Sequence, residues 1–287
     1  MFRLIACDMD GTLLQNDQTI SKRTISIIHT LQKNGIEFML VSGRDRVMAG
    51  EVLKQHGIFC DMILNNGNEF LSLDGSKHLT VGMDHTVLKE LYQLLTDYEY
   101  HASYFTTNGK YTNLDLDEYY DRHVEMAKRF HGDQIPETVK NSVLFRKEFF
   151  LKDTHQLYAI EDLFQQGIEV MKIDAKHFDK KKSEECLNKI KAMPHLDLSS
   201  SYNDNFEICA DTSNKGKMLE RICESKGYQK EEVLVLGDSH NDISMFEMFP
   251  YCVAPENACK EIKDLAYRMT SDNNHDGVAN ALETLIH

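Results

Sequence analysis

Two aspartates stand two residues apart in Asp8-Met9-Asp10-Gly11-Thr12-Leu13-Leu14, at the end of an apolar run. A second acidic pair closes another apolar run, in Gly237-Asp238-Ser239-His240-Asn241-Asp242. Between them along the chain come Ser42-Gly43-Arg44 and a lysine, Lys215, behind Asn214. Carboxylates serve as nucleophiles, as acids and bases, and as oxygen ligands for hard cations. A hydroxyl, a glycine N–H and an ammonium are groups that hold anions. Each fragment has an ordinary explanation. Aspartates at strand ends form turns or cap helices, Ser-Gly is a common strand-to-helix turn, and a lone lysine is normally solvated. Four such fragments, each just after a strand or at the start of a helix, are not accounted for by turn formation alone.

The surrounding pattern says how they would be positioned. Phe2–Cys7 reads as a strand. Ser21–Lys33 carries Ile25, Ile28 and Leu31 at helical spacing, with Ser21 as N-cap and Gly35 as a stop. Glu37–Val41 is a second strand, Val47–His56 a second helix and Cys60–Leu64 a third strand, closing on Asn65-Asn66-Gly67. After about residue 210 the alternation resumes: helix Lys215–Lys226, strand Glu232–Leu236, helix Ile243–Phe249, strand Tyr251–Ala254 and a closing helix at 277–286. This alternation predicts an α/β fold, a Rossmann-like parallel sheet with helices on both faces. In such sheets ligands bind beyond the carboxyl ends of the strands, where all four fragments fall.

The middle of the chain reads differently. Thr86–Tyr98 is an amphipathic helix. Asn108-Gly109, flanked by Tyr104-Phe105-Thr106-Thr107 and Lys110-Tyr111-Thr112, predicts a hairpin with a type I′ turn. Further helices are expected near 117–131, 155–166 and 180–192, and strands near 143–151, 168–174, 196–202 and 206–210. We therefore expect a discontinuous core domain, 1–83 and 210–287, split by an inserted α+β domain at 84–209.

Composition narrows the function. At 287 residues the chain has room for two domains and needs no covalent staples. With 32 basic against 46 acidic residues, a net charge of −14, it is poorly suited to nucleic acid. No apolar run is long enough to span a membrane, and the N-terminal one is too short for a secretion signal. The seven cysteines form no Cys-x-x-Cys pair and are odd in number, so we expect reduced thiols in a cytoplasmic protein.

The motifs, in this order, resemble those of the haloacid dehalogenase (HAD) superfamily of phosphohydrolases, in particular its Cof-like subfamily with a large α+β cap of type IIB. Residues 8–14 (DMDGTLL) resemble its first motif, 41–44 (VSGR) the second, Asn214-Lys215-Gly216 the third and 237–245 (GDSHNDISM) the fourth. Ser271–Ala279 (SDNNHDGVA) is similar to the subfamily's closing signature. Ser42 stands where many relatives have Thr, and Ser239 where many have Gly.

The resemblance implies a role for each position. Asp8 would attack phosphorus and form an aspartyl-phosphate that water then cleaves. Asp10 would protonate the leaving oxygen and later deprotonate the water. Mg²⁺ would be held by the Asp8 and Asp238 side chains and the Asp10 carbonyl, with Asp242 supporting the site. Ser42, the backbone N–H groups of Gly43 and Met9, Lys215 and Asn241 would hold phosphoryl oxygens. The inserted domain would be the cap that contacts the rest of a small phosphorylated metabolite: a sugar phosphate, a phosphorylated cofactor or a nucleotide. A phosphotransferase or mutase on the same scaffold is the alternative, and a regulatory module that only binds a phosphorylated ligand is a third. Asn66 and Gly67 are candidate substrate contacts. Arg44 is open between a phosphate contact and a structural ion pair. His240 reads as a surface residue, His275 and Asp276 as loop structure, and lysines 180–182 as a solvated helix start.

Overall fold

A computed structural model describes residues 2–131, 135, 137–142, 145–177, 179–199, 205–283 and 285. The chain divides into two compact units, Met1–Leu79 with Asn214–His287, and Thr80–Ser213.

The first unit opens with β1 (Leu4–Asp8), α1 (Lys22–Lys33), β2 (Glu37–Val41), α2 (Arg46–Gln55), β3 (Asp61–Leu64), β4 (Glu69–Leu71) and β5 (His78–Thr80). The second unit follows with α3 (His85–Asp97), β6 (His101–Thr106), β7 (Gly109–Thr112), α4 (Leu116–His131), α5 (Glu137–Lys140), α6 (Lys147–Phe150), β8 (Thr154–Gln156), α7 (Ile160–Gln165), β9 (Val170–Lys176), α8 (Lys180–Lys191), β10 (Leu196–Ser199) and β11 (Asn205–Ala210). The chain then returns to the first unit through α9 (Lys215–Lys226), β12 (Val233–Leu236), α10 (Ile243–Met248), β13 (Cys252–Pro255), α11 (Lys260–Leu265), β14 (Arg268–Thr270) and α12 (Gly277–Glu283).

The first unit is built on one sheet in the order β14-β13-β12-β1-β2-β3-β4-β5, parallel from β14 through β3, with β4 antiparallel to β3. Every residue of β1 and β12 is buried, as expected for parallel strands covered on both faces. The helices are placed by the hand of their connections. From β1 the chain steps through α1 and α2 toward β3; from β12 it steps the other way, through α10 and α11, toward β14. Right-handed crossovers running in opposite directions put their helices on opposite faces. Accordingly α9, α10 and α11 pack side by side, while α12 folds back onto α1. The reversal falls between β1 and β12, and a doubly wound sheet forms its binding crevice at that point.

Caps fix where the helices near this edge begin. Ser21 accepts from the Thr24 N–H at the start of α1, Asp45 from Met48 at α2, and Asn214 from Lys217 at α9.

The second unit has a sheet in the order β10-β11-β9-β6-β7-β8. One face carries Tyr104, Ile173 and Ile208 into a core with Leu88, Leu91, Leu95, Leu163, Cys186 and Ile190 from the helices. On the other face the register lines up Ser103, Asp174 and Glu207, with Phe105 beside Lys172. That face holds charge in burial: Lys172 pairs with Glu207 at 3.6 Å and lies 4.4 Å above the Phe105 ring.

Three local expectations change. The hairpin between β6 and β7 is present, but Asn108 is not in the left-handed region, so the turn is not type I′. Gly109 alone takes positive φ, at 93°, and opens β7; the Thr106 hydroxyl donates to its carbonyl and accepts from the Asn108 N–H. Thr107 and Asn108 form a two-residue turn, and the pairing stays in register through Thr106 and Gly109. The run at 143–151 contains a short helix, α6, where a strand was expected; residues 143 and 144 are not among those described. Its Phe150 is buried against the rings of Tyr119 and His123, a packing that an alternating strand would not give. Between 155 and 166 the first residues are in strand β8 and only Ile160–Gln165 is helical. Among the described residues, no helix is long and apolar enough to cross a membrane.

Candidate active site

Strand register assembles the first part of the site. Asp8 ends β1, where it pairs with Val41 of β2, and Cys7 beside it pairs with Leu236 of β12. Ser42 and Gly237-Asp238 therefore leave their strands at the level of Asp8. Lys215 reaches the same place from the first turn of α9.

Lys215 is fully buried, and its Nζ donates to Asp8 Oδ1 at 2.6 Å and to Asp242 Oδ1 at 2.7 Å. The second oxygen of Asp242 accepts from the N–H groups of Asp238 (2.9 Å) and Ser239 (3.0 Å). Asp242 thus uses both oxygens to brace the lysine and the turn that carries Asp238. Asp238 accepts from the Thr12 hydroxyl at 2.8 Å through Oδ1. Asp8 Oδ2 is buried and has no hydrogen-bond partner.

Three carboxylates in this pocket face one ammonium. Burial raises the Asp8 carboxyl well above the usual range, and the Asp242 charge adds to this against the pull of Lys215. Burial and Asp242 likewise push Asp238 up to about 7. Burial works against the charge of Lys215, but Asp242 and Asp8 outweigh it and hold the amine above the ordinary lysine range. An oxygen atom from each of Asp8, Asp238 and Asp242 lies within 4.8 Å of the others. An all-oxygen donor set, an excess of negative charge and an orphaned carboxylate oxygen together fit a hard dication such as Mg²⁺.

Asp10 stands apart from this cluster. Its side chain is half exposed and held in a fork by Arg44, with Nε to Oδ2 at 2.9 Å and the terminal nitrogen to Oδ1 at 2.5 Å. The same Arg44 nitrogen donates to Gln18 at 2.6 Å. Arg44 is therefore an ion-pair partner of Asp10.

Ser42 is fully buried; its hydroxyl accepts from the Arg44 N–H at 3.1 Å and donates to Met9 Sδ at 3.9 Å. The side chain of Met9 is likewise buried. Asn241 is oriented from two sides, accepting from the Ser239 hydroxyl at 2.7 Å and donating to Asn66 Oδ1 at 3.1 Å. Asn66 thus joins Asn241, and it does so at φ 57°, on a turn whose neighbours Asn65 and Gly67 are also left-handed. Gly67 is required there: a Cβ would lie 2.2 Å from the Asn214 backbone, at the start of α9.

A haloacid dehalogenase-like hydrolase family model matches residues 5–282 of the sequence. The chain belongs to that family. A curated relative, phosphatase YwpJ of Bacillus subtilis, is 26% identical over 99% of this chain and 100% of its own. A second, 5-amino-6-(5-phospho-D-ribitylamino)uracil phosphatase YwtE of the same species, is 25% identical over 99% of this chain and 98% of its own. Among solved structures, a haloacid dehalogenase-like hydrolase from B. subtilis aligns with a TM-score of 0.86 and 26% identity, covering 99% of this chain and all of that one.

Within this HAD fold, several residues that hold the first motif in place escape a reading of local sequence. The Thr12 hydroxyl fixes Asp238 across 226 residues. Asn257 donates to the Gly11 carbonyl and accepts from the Asn273 N–H; Asn273, buried, donates to the Leu14 carbonyl at 2.9 Å. The closing signature therefore acts by pinning the loop behind Asp10. His275 and Asp276 are loop residues, with His275 bonded to Asp272.

Gly11 has two separate reasons to be glycine. Its φ is +81°, and a Cβ there would lie 2.4 Å from Asp238 Oδ2. Gly11→Ala should therefore cost about 1–2 kcal/mol in backbone strain. It should also displace the Asp238 carboxylate. We expect a lower melting temperature and a Mg²⁺ affinity weakened roughly tenfold or more, an outer-contact effect of the usual size. Unchanged calorimetric Mg²⁺ binding in this variant would remove Asp238 from the cation site.

Proposed function

We propose that this HAD hydrolase is a Mg²⁺-dependent phosphatase of small phosphorylated metabolites that works through an aspartyl-phosphate on Asp8. One observation carries the reading: at the carboxyl end of β1, Lys215 clamps one oxygen of Asp8, and the other is buried without a partner. A carboxylate so held is aimed and has one oxygen available for bond formation. The bound cation would supply charge neutralisation to the phosphoryl group, with Asp8, Asp238 and the Asp10 carbonyl as its ligands.

The residues then divide the work. An Asp8 oxygen forms a bond to phosphorus as the bond from phosphorus to the substrate oxygen breaks. Asp10 gives that leaving oxygen its proton. Water next attacks phosphorus, Asp10 takes its proton, and the bond from Asp8 to phosphorus breaks to release phosphate. To serve in this way Asp10 must swing out of the Arg44 fork, because both its oxygens are engaged there. Lys215, the Ser42 hydroxyl, Asn241 and the N–H groups of Met9 and Gly43 stabilise charge spread over the phosphoryl oxygens, which is the main task in this chemistry. Asp242 positions Lys215 and the Asp238 turn. We assign the selection of the leaving group to the inserted unit on the resemblance to capped phosphohydrolases of the family. Its relatives YwpJ and YwtE are named as phosphatases, which favours water over a second substrate as acceptor. The seven free cysteines suit a reducing cytoplasm.

The test is release of inorganic phosphate from sugar phosphates, nucleotides, flavin mononucleotide and pyridoxal phosphate, with Mg²⁺ and with chelator. Mg²⁺-dependent release is expected from at least one class. Transfer of the phosphoryl group between sugars without free phosphate would establish the mutase alternative. The cation's affinity should also depend on pH. With Asp238 titrating near 7, a proton competes with the metal below that value. The Mg²⁺ dissociation constant should rise about fivefold from pH 7 to pH 6, and more steeply if Asp8 takes up a proton too. Calorimetry at the two pH values measures this; a constant affinity would contradict it.

A further inference from the structure

His240, Cys259 and Glu261 form a second cluster of donors, distinct from the carboxylates around Lys215. One ligand atom from each lies within 4.8 Å of the others. His240 Nε2 is already 3.6 Å from Glu261 Oε2. A tetrahedral ion with bonds of about 2.0–2.3 Å holds its donors roughly 3.3–3.8 Å apart, so small side-chain rotations close the set. Of the seven free cysteines, Cys259 is the one that is not buried. Both His240 and Glu261 are more than half exposed, so the cluster is open to an incoming ion.

We propose that His240, Cys259 and Glu261 bind a soft or borderline divalent cation such as Zn²⁺, in a three-ligand site with an open fourth position. The donor types decide the class of ion. Imidazole and thiolate favour Zn²⁺ and its neighbours in the transition series, whereas the oxygen set at Asp8 and Asp238 suits Mg²⁺. The same chain thus offers a hard site and a soft site, which different ions should fill without exchange.

The backbone links the two sites. The Cys259 N–H donates to the Asp238 carbonyl at 2.8 Å, and His240 opens the turn that presents Asn241 and Asp242. An ion joining His240 to Cys259 would close a clamp around Asp238 from outside the catalytic cluster. It would reach that turn without taking an oxygen from Asp8.

The test is a Co²⁺ titration of the Mg²⁺-saturated full chain, followed by absorbance, with Co²⁺ as a coloured substitute for Zn²⁺. The expected result is one equivalent bound, with a thiolate-to-cobalt charge-transfer band that Zn²⁺ abolishes. Cys259→Ser should remove the band, and His240→Ala should weaken binding about tenfold or more. No thiolate band, or a band that survives Cys259→Ser, would overturn the proposal. So would a band whose midpoint His240→Ala leaves unmoved, since the thiolate would then be binding without the imidazole. None of these readings depends on phosphate release, so the proposal stands or falls apart from the phosphatase reading.

Discussion

Asp8→Asn should reduce turnover by a factor on the order of 10⁴–10⁶, the scale seen when a covalent nucleophile is removed. The fold should survive. An asparagine has nearly the same shape, its oxygen can still accept from Lys215, and its amide occupies the position of an oxygen that has no partner in the wild type. The change also removes one negative charge from a pocket where burial and Asp242 already disfavour the ionised form of Asp8. The melting temperature should therefore stay within about 3 °C of wild type, or rise. Phosphate release and thermal unfolding on the same preparation test both halves. Turnover near the wild-type rate would remove Asp8 from its role, whereas an unfolded variant would assign it a structural one.

Lys215→Met, by contrast, should lose activity and stability together. The ammonium is wholly buried and joins two carboxylates, Asp8 and Asp242. Removing one member of a buried ionic group leaves the others desolvated and unpaired, which costs about 3–5 kcal/mol. The loss should depend on pH in a defined direction. Without the lysine, Asp8, already raised, moves further above its unfolded value. A carboxyl whose folded pKa exceeds its unfolded one destabilises the fold at pH values above both, and the penalty fades as pH falls through the folded value. The deficit of the variant relative to wild type should thus shrink between pH 8 and pH 5. Chemical denaturation at the two pH values measures it. A deficit below about 1 kcal/mol, the range of exposed ion pairs, would mean that the buried cluster is solvated in solution.

The catalytic strands could be read from local sequence because each is a short apolar run ending in a polar group whose type is itself informative. Asp8, Ser42 and Asp238 fall at one edge for that reason, and register in a parallel sheet then brings them level. The partners were harder to foresee. Thr12, Asn257 and Asn273 act through hydrogen bonds to residues more than 200 positions away, to Asp238, Gly11 and Leu14. Thr12 and Asn273 lie inside quoted motifs and Asn257 in none, but residue type alone does not say which distant group each would bond. Arg44 was ambiguous because a guanidinium suits a phosphate and a carboxylate equally, and only the fold places Asp10 within its reach. Asn66 is a similar case: its amide meets Asn241 only because a left-handed turn after β3 lies against the start of α9. In the second unit, Phe150 belongs to a helical turn, since its packing against Tyr119 and His123 overrides the strand-like composition.

Trapping the covalent aspartyl-phosphate tests the proposed mechanism most directly. Asp10→Asn protein, given Mg²⁺ and an aryl phosphate whose leaving group needs no proton, should still be phosphorylated but should release phosphate slowly, because the base for water is missing. Borohydride reduction of an aspartyl-phosphate converts that side chain to an alcohol that mass spectrometry locates. The expected result is a single reduced position, residue 8, formed in near-stoichiometric amount and absent from the Asp8→Asn control. Reduction at another residue, or none while phosphate is still released from this substrate, would contradict it.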